Sequence, residues 1–150
     1  MLMMRFLFGL VILLALQPLC TAQKSDDNLE VKDTLPYREI PAYPDSFTAE
    51  TVVARMIDGL GFRFYWATEG LRPEDLAFRP NAEARTSEET IDHILGLSNV
   101  IFNAVNKQAN VRSGEETSPL GFAVKRKQVL ENLKAASDIL KGEKAALEEY

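Results

Sequence analysis

The sequence predicts an all-α protein, folded as an antiparallel helical bundle of three helices. Two observations support this fold class. Apolar residues recur at helical spacings of three and four in three separate segments, and no segment alternates as a strand does. Segments rich in proline, glycine and polar residues separate the three. One domain is expected, because 150 residues less a leader leave about 128, enough for a single core.

The first 22 residues have the pattern of a secretory signal peptide. Arg5 precedes an unbroken apolar run at positions 6–16, a more polar stretch with Pro18 follows, and small residues near the cut favour cleavage after Ala22. This run is too short to span a bilayer, and no longer one follows, so no transmembrane span is expected in the mature chain. We therefore expect an exported protein, periplasmic or extracellular, that begins at Gln23.

Charge and cysteine content limit the function classes. The net charge is −5 and becomes −6 once Arg5 leaves with the signal, since 16 basic residues then face 22 acidic ones. Nucleic acid is therefore not expected as a partner. Cleavage after residue 22 also removes the only cysteine, Cys20, which excludes disulfides and a cysteine nucleophile. The alternative is a lipoprotein anchored through Cys20, although Leu19 is bulkier than that processing normally accepts.

Residues 23–47 are expected to form an extended arm. They are polar, contain three prolines and lack a sustained apolar period. Tyr37, Ile40 and Tyr43 are candidates to lie across the surface of the bundle; a loose linker is the alternative.

The bundle itself is expected over residues 48–150. The first helix begins near Thr48 and stops at Gly70 and Pro73. Its glycines, Gly59 and Gly61, suggest the close approach of a neighbouring helix. Its predicted core stripe is Val53, Ile57, Leu60, Phe64, Ala67 and Leu71.

An ordered loop over residues 72–85 leads to the second helix, with Leu76 and Phe78 as candidates to enter the core. Thr86 and Glu89 predict a capping box at the start of this helix. Its apolar arc is wide enough for the interior of a bundle. The arc contains Ile91, Ile94, Leu95, Leu97, Ser98, Ile101, Phe102 and Val105.

A polar loop over residues 110–119 precedes the third helix, which Gly142 is expected to cap. Its predicted stripe is Phe122, Arg126, Val129, Leu133, Ala136 and Leu140. Its predicted solvated side is Lys125, Lys127, Glu131, Lys134 and Asp138. Short loops between the helices favour antiparallel neighbours.

His93, the only histidine, is the candidate metal ligand. It lies at the flank of the second helix's apolar arc, beside Leu97, Val100 and Ala104, where it could reach a crevice between helices. A catalytic metal site normally needs about three protein ligands, and one histidine cannot supply three imidazoles. An incidental, structural histidine is the alternative.

The other polar and aromatic clusters have structural interpretations. The carboxylates of Glu74, Asp75, Glu88 and Glu89 are expected to act in capping. Ser98 is expected to bond to the backbone rather than act as a nucleophile. The aromatic run is expected in the core and at interfaces; it contains Phe62, Phe64, Tyr65 and Trp66. The basic cluster is expected on a solvated face; it contains Lys125, Arg126 and Lys127.

The order of these elements carries a resemblance. A helix reading RMIDGLGFRFYWATEGL, a loop reading RPEDLAFRP and a helix reading SEETIDHILGLSN follow one another. This order resembles the DinB family, in particular its exported members of Bacteroidetes type, over about residues 48–140. The most telling match is His93, just after a capped start of the second helix. The resemblance implies a four-helix bundle in which three histidines bind a divalent metal such as zinc or nickel, in thiol transferases, hydrolases and uncharacterised proteins.

The chain departs from that family at its C-terminal side. The other two metal histidines belong to the family's fourth helix, and the sequence reaches Tyr150 before such a helix. His93 is then the only ligand that the resemblance carries over, and zinc or nickel requires ligands from elsewhere.

Three hypotheses follow. The first is an exported DinB-like bundle without its fourth helix, not an enzyme as it stands, in which His93 is the vestige of a metal site. The second is a metal enzyme completed by a homodimer that brings His93 and carboxylates of two chains together. The third is a non-catalytic helical interaction module. An incomplete bundle also predicts an exposed apolar face and self-association.

Overall fold

The computed structural model describes residues 35–110 and 119–142, which form helices and no strands. The described helices are α1 (Ala49–Ala67), α2 (Pro73–Leu76), α3 (Ser87–Val105) and α4 (Phe122–Lys141). The all-α class and the three long helices are thus confirmed for this part of the chain. The expected signal peptide, Cys20 and the start of the arm lie outside the described residues. No helix in the described ranges has both the length and the apolar character needed to cross a membrane.

Local sequence signals fix the ends of the long helices. At the start of α3, the Thr86 N–H donates to Glu89 Oε2 at 2.6 Å and the Glu89 N–H donates to Thr86 Oγ1 at 3.0 Å. The predicted capping box is therefore confirmed. Thr48 caps α1 in the same way with Thr51. Gly142 caps α4, with its N–H bonded to the carbonyl of Ile139 at 3.1 Å.

Helix α4 lies between α1 and α3. Its Ser137 hydroxyl donates to the Ala54 carbonyl at 3.4 Å, and Arg126 Nε donates to Thr68 Oγ1 at 3.0 Å. The start of α1 therefore meets the end of α4, so these two helices are antiparallel as predicted. Within the described residues, no Cα atom of α1 comes within 8 Å of a Cα atom of α3.

Helices α3 and α4 run parallel, which corrects the antiparallel prediction for this pair. Lys125 pairs with Asp92 at 2.8 Å and Asn132 Nδ2 donates to Ser98 Oγ at 3.1 Å, so residue numbers rise together along both helices. The connection between them, residues 106–121, has sixteen residues. Such a segment reaches up to roughly 50 Å when extended, while α3 is only about 28 Å long. The connection is therefore long enough to return to the starting end of α3.

One apolar core joins the three long helices. Leu130, Leu133 and Val129 of α4 are fully buried in it, and Leu76 packs against it as predicted. Phe78 does not enter the core, against the prediction, since the residue is 62% exposed; its carbonyl accepts from the Ser87 N–H at 3.0 Å. The buried apolar residues are Tyr37, Ala54, Ile57, Phe64, Tyr65, Ile91, Leu95, Val129, Leu130, Leu133, Ala136 and Leu140.

The buried side of α1 is rotated relative to the predicted stripe. At 100° per residue, the centre of the buried set lies roughly 80° around the helix from the centre of the stripe. Leu60 and Ala67 are exposed in consequence, against the prediction. The reason is that, among the described helices, α4 is the one long helix in contact with α1, and the buried set shares only Ile57 and Phe64 with the stripe.

The arm packs against α1, as the Tyr37 prediction requires. Residues 35–48 contain no helix or strand. Tyr37 is 4% exposed, and a Cβ atom built on Gly61 would clash with its ring. The close neighbour of Gly61 is therefore the arm and not a second helix, which corrects that expectation. Farther along, the Arg55 guanidinium lies 4.1 Å from the centre of the Tyr43 ring.

Candidate functional site

His93 lies on α3 on the side opposite the core. Ile91 and Leu95 point inward, whereas His93, Leu97 and Val100 are exposed. One turn before His93, Glu89 is engaged by Thr86 and by Arg79 Nη2 at 3.1 Å. The structure therefore places His93 on an open helix surface rather than in a crevice between helices.

The residues around His93 do not form a metal site of the expected kind. Across residues 35–110 and 119–142, no three His, Cys, Asp or Glu side chains are placed to hold a metal ion. A lone imidazole does not fit the three-ligand requirement of a zinc or nickel centre. Metal binding through His93 stays a prediction that needs ligands from outside the described chain.

Two of the four carboxylates expected to cap helices, Asp75 and Glu89, do so, whereas Glu74 and Glu88 form ion pairs with Arg72 and Lys125. Asp75 accepts from the Arg72 N–H at 3.0 Å and from Arg72 Nε at 2.9 Å. The hydrogen bonds from the Arg72 side chain and then its backbone lower the pKa of Asp75 to about 2. The bond from the Thr86 backbone lowers the pKa of Glu89. The capping interpretation is therefore confirmed for Asp75 and Glu89.

Ser98 also has a structural role. Its hydroxyl is 2% exposed, donates to the Leu95 carbonyl at 2.8 Å and accepts from Asn132. Backbone bonding is therefore confirmed. In the aromatic run, Phe64 and Tyr65 are in the core, and Trp66 packs edge-on against Tyr65 at 5.2 Å.

The basic cluster at the start of α4 is where the sequence prediction fails most. Lys125 is 2% exposed and its Nζ lies 2.8 Å from Asp92 and 3.2 Å from Glu88. Burial works to lower the pKa of Lys125, but the hydrogen bonds to Asp92 and Glu88 outweigh it, so the pKa is raised. The solvated-face prediction is wrong for Lys125 because α3 brings two carboxylates to it. The signal available in the sequence was Asp92, a carboxylate one residue from the apolar position Ile91.

Arg126 points the other way, into the contact with α1. Its guanidinium is 4.5 Å from the centre of the Tyr65 ring, donates to the Tyr65 carbonyl and Thr68, and pairs with Glu69. The prediction that Arg126 belongs to the buried stripe is thus confirmed, and the prediction that it lies on a solvated face is wrong. Lys127 is exposed as expected.

A second buried polar group ties the arm to α1 and α4. Asp58 is fully buried; its carboxylate accepts from the Tyr37 hydroxyl at 3.1 Å and from Lys141 Nζ at 2.6 Å. Burial, followed by the Asp58 charge, raises the pKa of the Tyr37 phenol. Every buried side-chain nitrogen and oxygen in the described residues has a hydrogen-bond partner, so these groups hold the fold rather than await a ligand.

Two open surfaces remain. We call the exposed positions of α1 the α1 outer face: Ala49, Val52, Met56, Leu60, Arg63, Trp66 and Ala67. We call the exposed positions of α3 beyond its first turn the α3 outer face: Thr90, His93, Gly96, Leu97, Val100 and Ala104. Together they carry a single charged side chain, Arg63. His93 therefore belongs to an apolar helix surface, and this surface is the candidate functional site.

No family model, curated protein or solved structure matches the chain.

Proposed function

We propose that this chain is an exported, DinB-like helical module that acts by protein–protein contact through the α1 and α3 outer faces. The observation that carries the proposal is their lack of charge. A helix side that remains in solvent is normally rich in charged residues, and large exposed apolar patches mark contact sites. Met56 is 70% exposed, and Leu97 is 48% exposed.

Helix α4 provides the internal reference. Half of its exposed positions are charged, namely Lys127, Glu131 and Asp138, as is typical of a surface that stays in water, while the other half are Ala123, Val124 and Ile139. The same chain therefore does build a charged surface where a helix faces solvent permanently. Its absence from α1 and α3 supports a contact role for those faces.

Two features support the DinB-like part of the proposal. Three long helices occur in the expected order, and His93 follows a capped start of the second of them. The apolar arcs of α1 and α3 also extend beyond what α4 covers, as they would if another helix packed there. Export rests on the signal pattern at residues 1–22, and it predicts that the secreted protein begins at Gln23 by N-terminal sequencing.

Site-specific photo-crosslinking in a producing cell tests the contact role. A photoreactive amino acid replaces Met56 on the α1 outer face or Leu97 on the α3 outer face. Val124, 52% exposed on α4, receives the same group as the matched control. We expect covalent adducts from Met56 or Leu97 and none from Val124. No adduct from either outer face would contradict the proposal.

A metal enzyme is the second candidate, because the exposed imidazole of His93 is accessible to ligands supplied by another chain. Titration of the purified protein with zinc and with nickel, beside His93→Ala, separates the two. We expect no stoichiometric binding that depends on His93. Tight binding lost in His93→Ala would favour the metal enzyme.

A further inference from the structure

We infer that the α3 outer face binds the same face of a second copy of this chain, with the two α3 helices antiparallel about a two-fold axis. This inference rests on the proposed function and names its partner. It assigns one of the two outer faces, the α3 outer face, to the contact with the second copy.

The α3 outer face has the surface properties of a helix–helix contact. From Thr90 to Ala104, about four helical turns, no exposed position carries Asp, Glu, Lys or Arg. Leu97 and Val100, 48% and 44% exposed, lie near its centre. Nothing lies within 4 Å of a Cβ atom built on Gly96. A second backbone can therefore come close at the middle of this face.

The charges at its two ends select a second copy in the antiparallel direction. Glu89 stands in the first turn of α3 on the side of this face, and Lys107 follows the last turn. Glu89 pairs with Arg79 within its own chain, but its side chain keeps 40% of its exposure. An antiparallel pair places the acidic end of each helix beside the basic end of the other and also aligns the helix dipoles favourably. A parallel pair would place like charges together.

Two-fold symmetry makes this contact self-complementary. With Leu97 against the Val100 of the second copy, His93 lies against Ala104. The two His93 residues are then roughly 16 Å apart along the axis, so this dimer does not bring them to one metal ion. The α1 outer face fits the arrangement less well, because Arg63 interrupts it.

Sedimentation velocity of the full chain, as purified after export, provides the first test. We expect a concentration-dependent dimer that Leu97→Glu weakens by at least about tenfold, while Val124→Glu on α4 leaves it unchanged. Circular dichroism of both variants checks that the helices are intact. A monomer at all concentrations, or a dimer unaffected by Leu97→Glu, would overturn the inference.

Cysteine cross-linking then tests the direction of the helices. Single cysteines at positions 97, 100 and 104 are treated with a short bismaleimide, with the unsubstituted chain as the control for Cys20. We expect covalent dimers from Leu97→Cys and Val100→Cys and none from Ala104→Cys. Efficient cross-linking of Ala104→Cys indicates parallel helices and overturns the inference.

The photo-crosslinking experiment separates the two proposals. An adduct of twice the chain's mass from Leu97 supports the second copy. An adduct with a different protein from Leu97 overturns this inference but supports the proposed function. The absence of any adduct from both outer faces contradicts both.

Discussion

Helices α3 and α4 distribute their charged residues in opposite ways. Helix α4 buries Lys125 and Arg126 in its two helix contacts and places Lys127, Glu131 and Asp138 in water. Helix α3 buries Asp92 as the partner of Lys125, while its outer face has no Asp, Glu, Lys or Arg side chain. Charge therefore does not distinguish the inside of this protein from the outside.

This difference teaches how each helix is used. The buried charges of α4 have defined partners on α1 and α3, so they fix its position and direction as well as its burial. The α3 outer face has no comparable partners among the described residues. Under the proposed function, the part of the α3 apolar arc that α4 does not cover serves contacts with partners from outside the fold.

The largest expected effect comes from removing a partner of a buried charge. Asp92→Ala leaves Lys125 buried with only the more exposed Glu88, and we expect a loss of about 3 kcal/mol in the free energy of unfolding. Urea titration measures it. The control is Asp138→Ala, which breaks the exposed pair with Lys134 and should cost no more than about 0.5 kcal/mol. Equal losses in the free energy of unfolding for the two variants would show that the buried pair is no more important for stability than the exposed pair.

The next effect concerns the arm. Gly61→Ala places a methyl group against the Tyr37 ring, and we expect a loss of about 1 to 3 kcal/mol from overpacking. Gly59→Ala is the matched control, because its methyl group would meet only Arg63 Nη1 at 3.4 Å. That control should gain up to about 1 kcal/mol from helix propensity. Repeating both substitutions in a Tyr37→Ala background should abolish the penalty at Gly61; a penalty that persists would show that Tyr37 is not its cause.

Alkaline pH provides a smaller effect. Burial, followed by the charge of Asp58, raises the pKa of Tyr37 above its ordinary value of 10.0, so the folded protein keeps a proton that the unfolded chain loses. The contribution of the protonated Tyr37 phenol to the free energy of unfolding is fully present below pH 10.0 and declines as the pH rises above it. Tyr37→Phe should therefore show a shallower loss of stability above pH 10 than the parent protein in urea titrations. Identical slopes would contradict the assignment.

The smallest effect is expected on the outer faces. Under conditions where the protein is monomeric, Leu97→Ser and Met56→Ser should each change the free energy of unfolding by no more than about 0.5 kcal/mol. Leu133→Ala, in the core, should cost about 2 to 5 kcal/mol. Large losses at Leu97 or Met56 would mean that these residues stabilise the monomer and are not reserved for contacts.

Local signals predicted the helices well. The Thr86 and Glu89 side chains act on amides within one turn, so three-residue spacing was sufficient to place the start of α3. Proline and glycine likewise marked the separation of α1 from α3. These interactions depend on sequence neighbours alone.

The sequence did not predict which helices contact each other. A stripe shows that a helix has contacts but not which helix makes them, so Leu60 and Ala67 appeared to be core residues. The burial of Lys125 depends on Asp92, 33 positions earlier, and on the parallel direction of α3 and α4. For His93, helical spacing correctly predicted that Leu97 and Val100 lie beside it. It did not predict that all three residues face away from α4.

The central position of α4 affects folding during synthesis. Helices α1 and α3 leave the ribosome first, yet no Cα atom of one lies within 8 Å of a Cα atom of the other in the native structure. Within the described residues, each of them packs against a long helix only through α4, the last of the described helices to be made. The nascent chain therefore carries exposed apolar surface until late in translation, a situation that favours chaperone binding and raises the risk of aggregation.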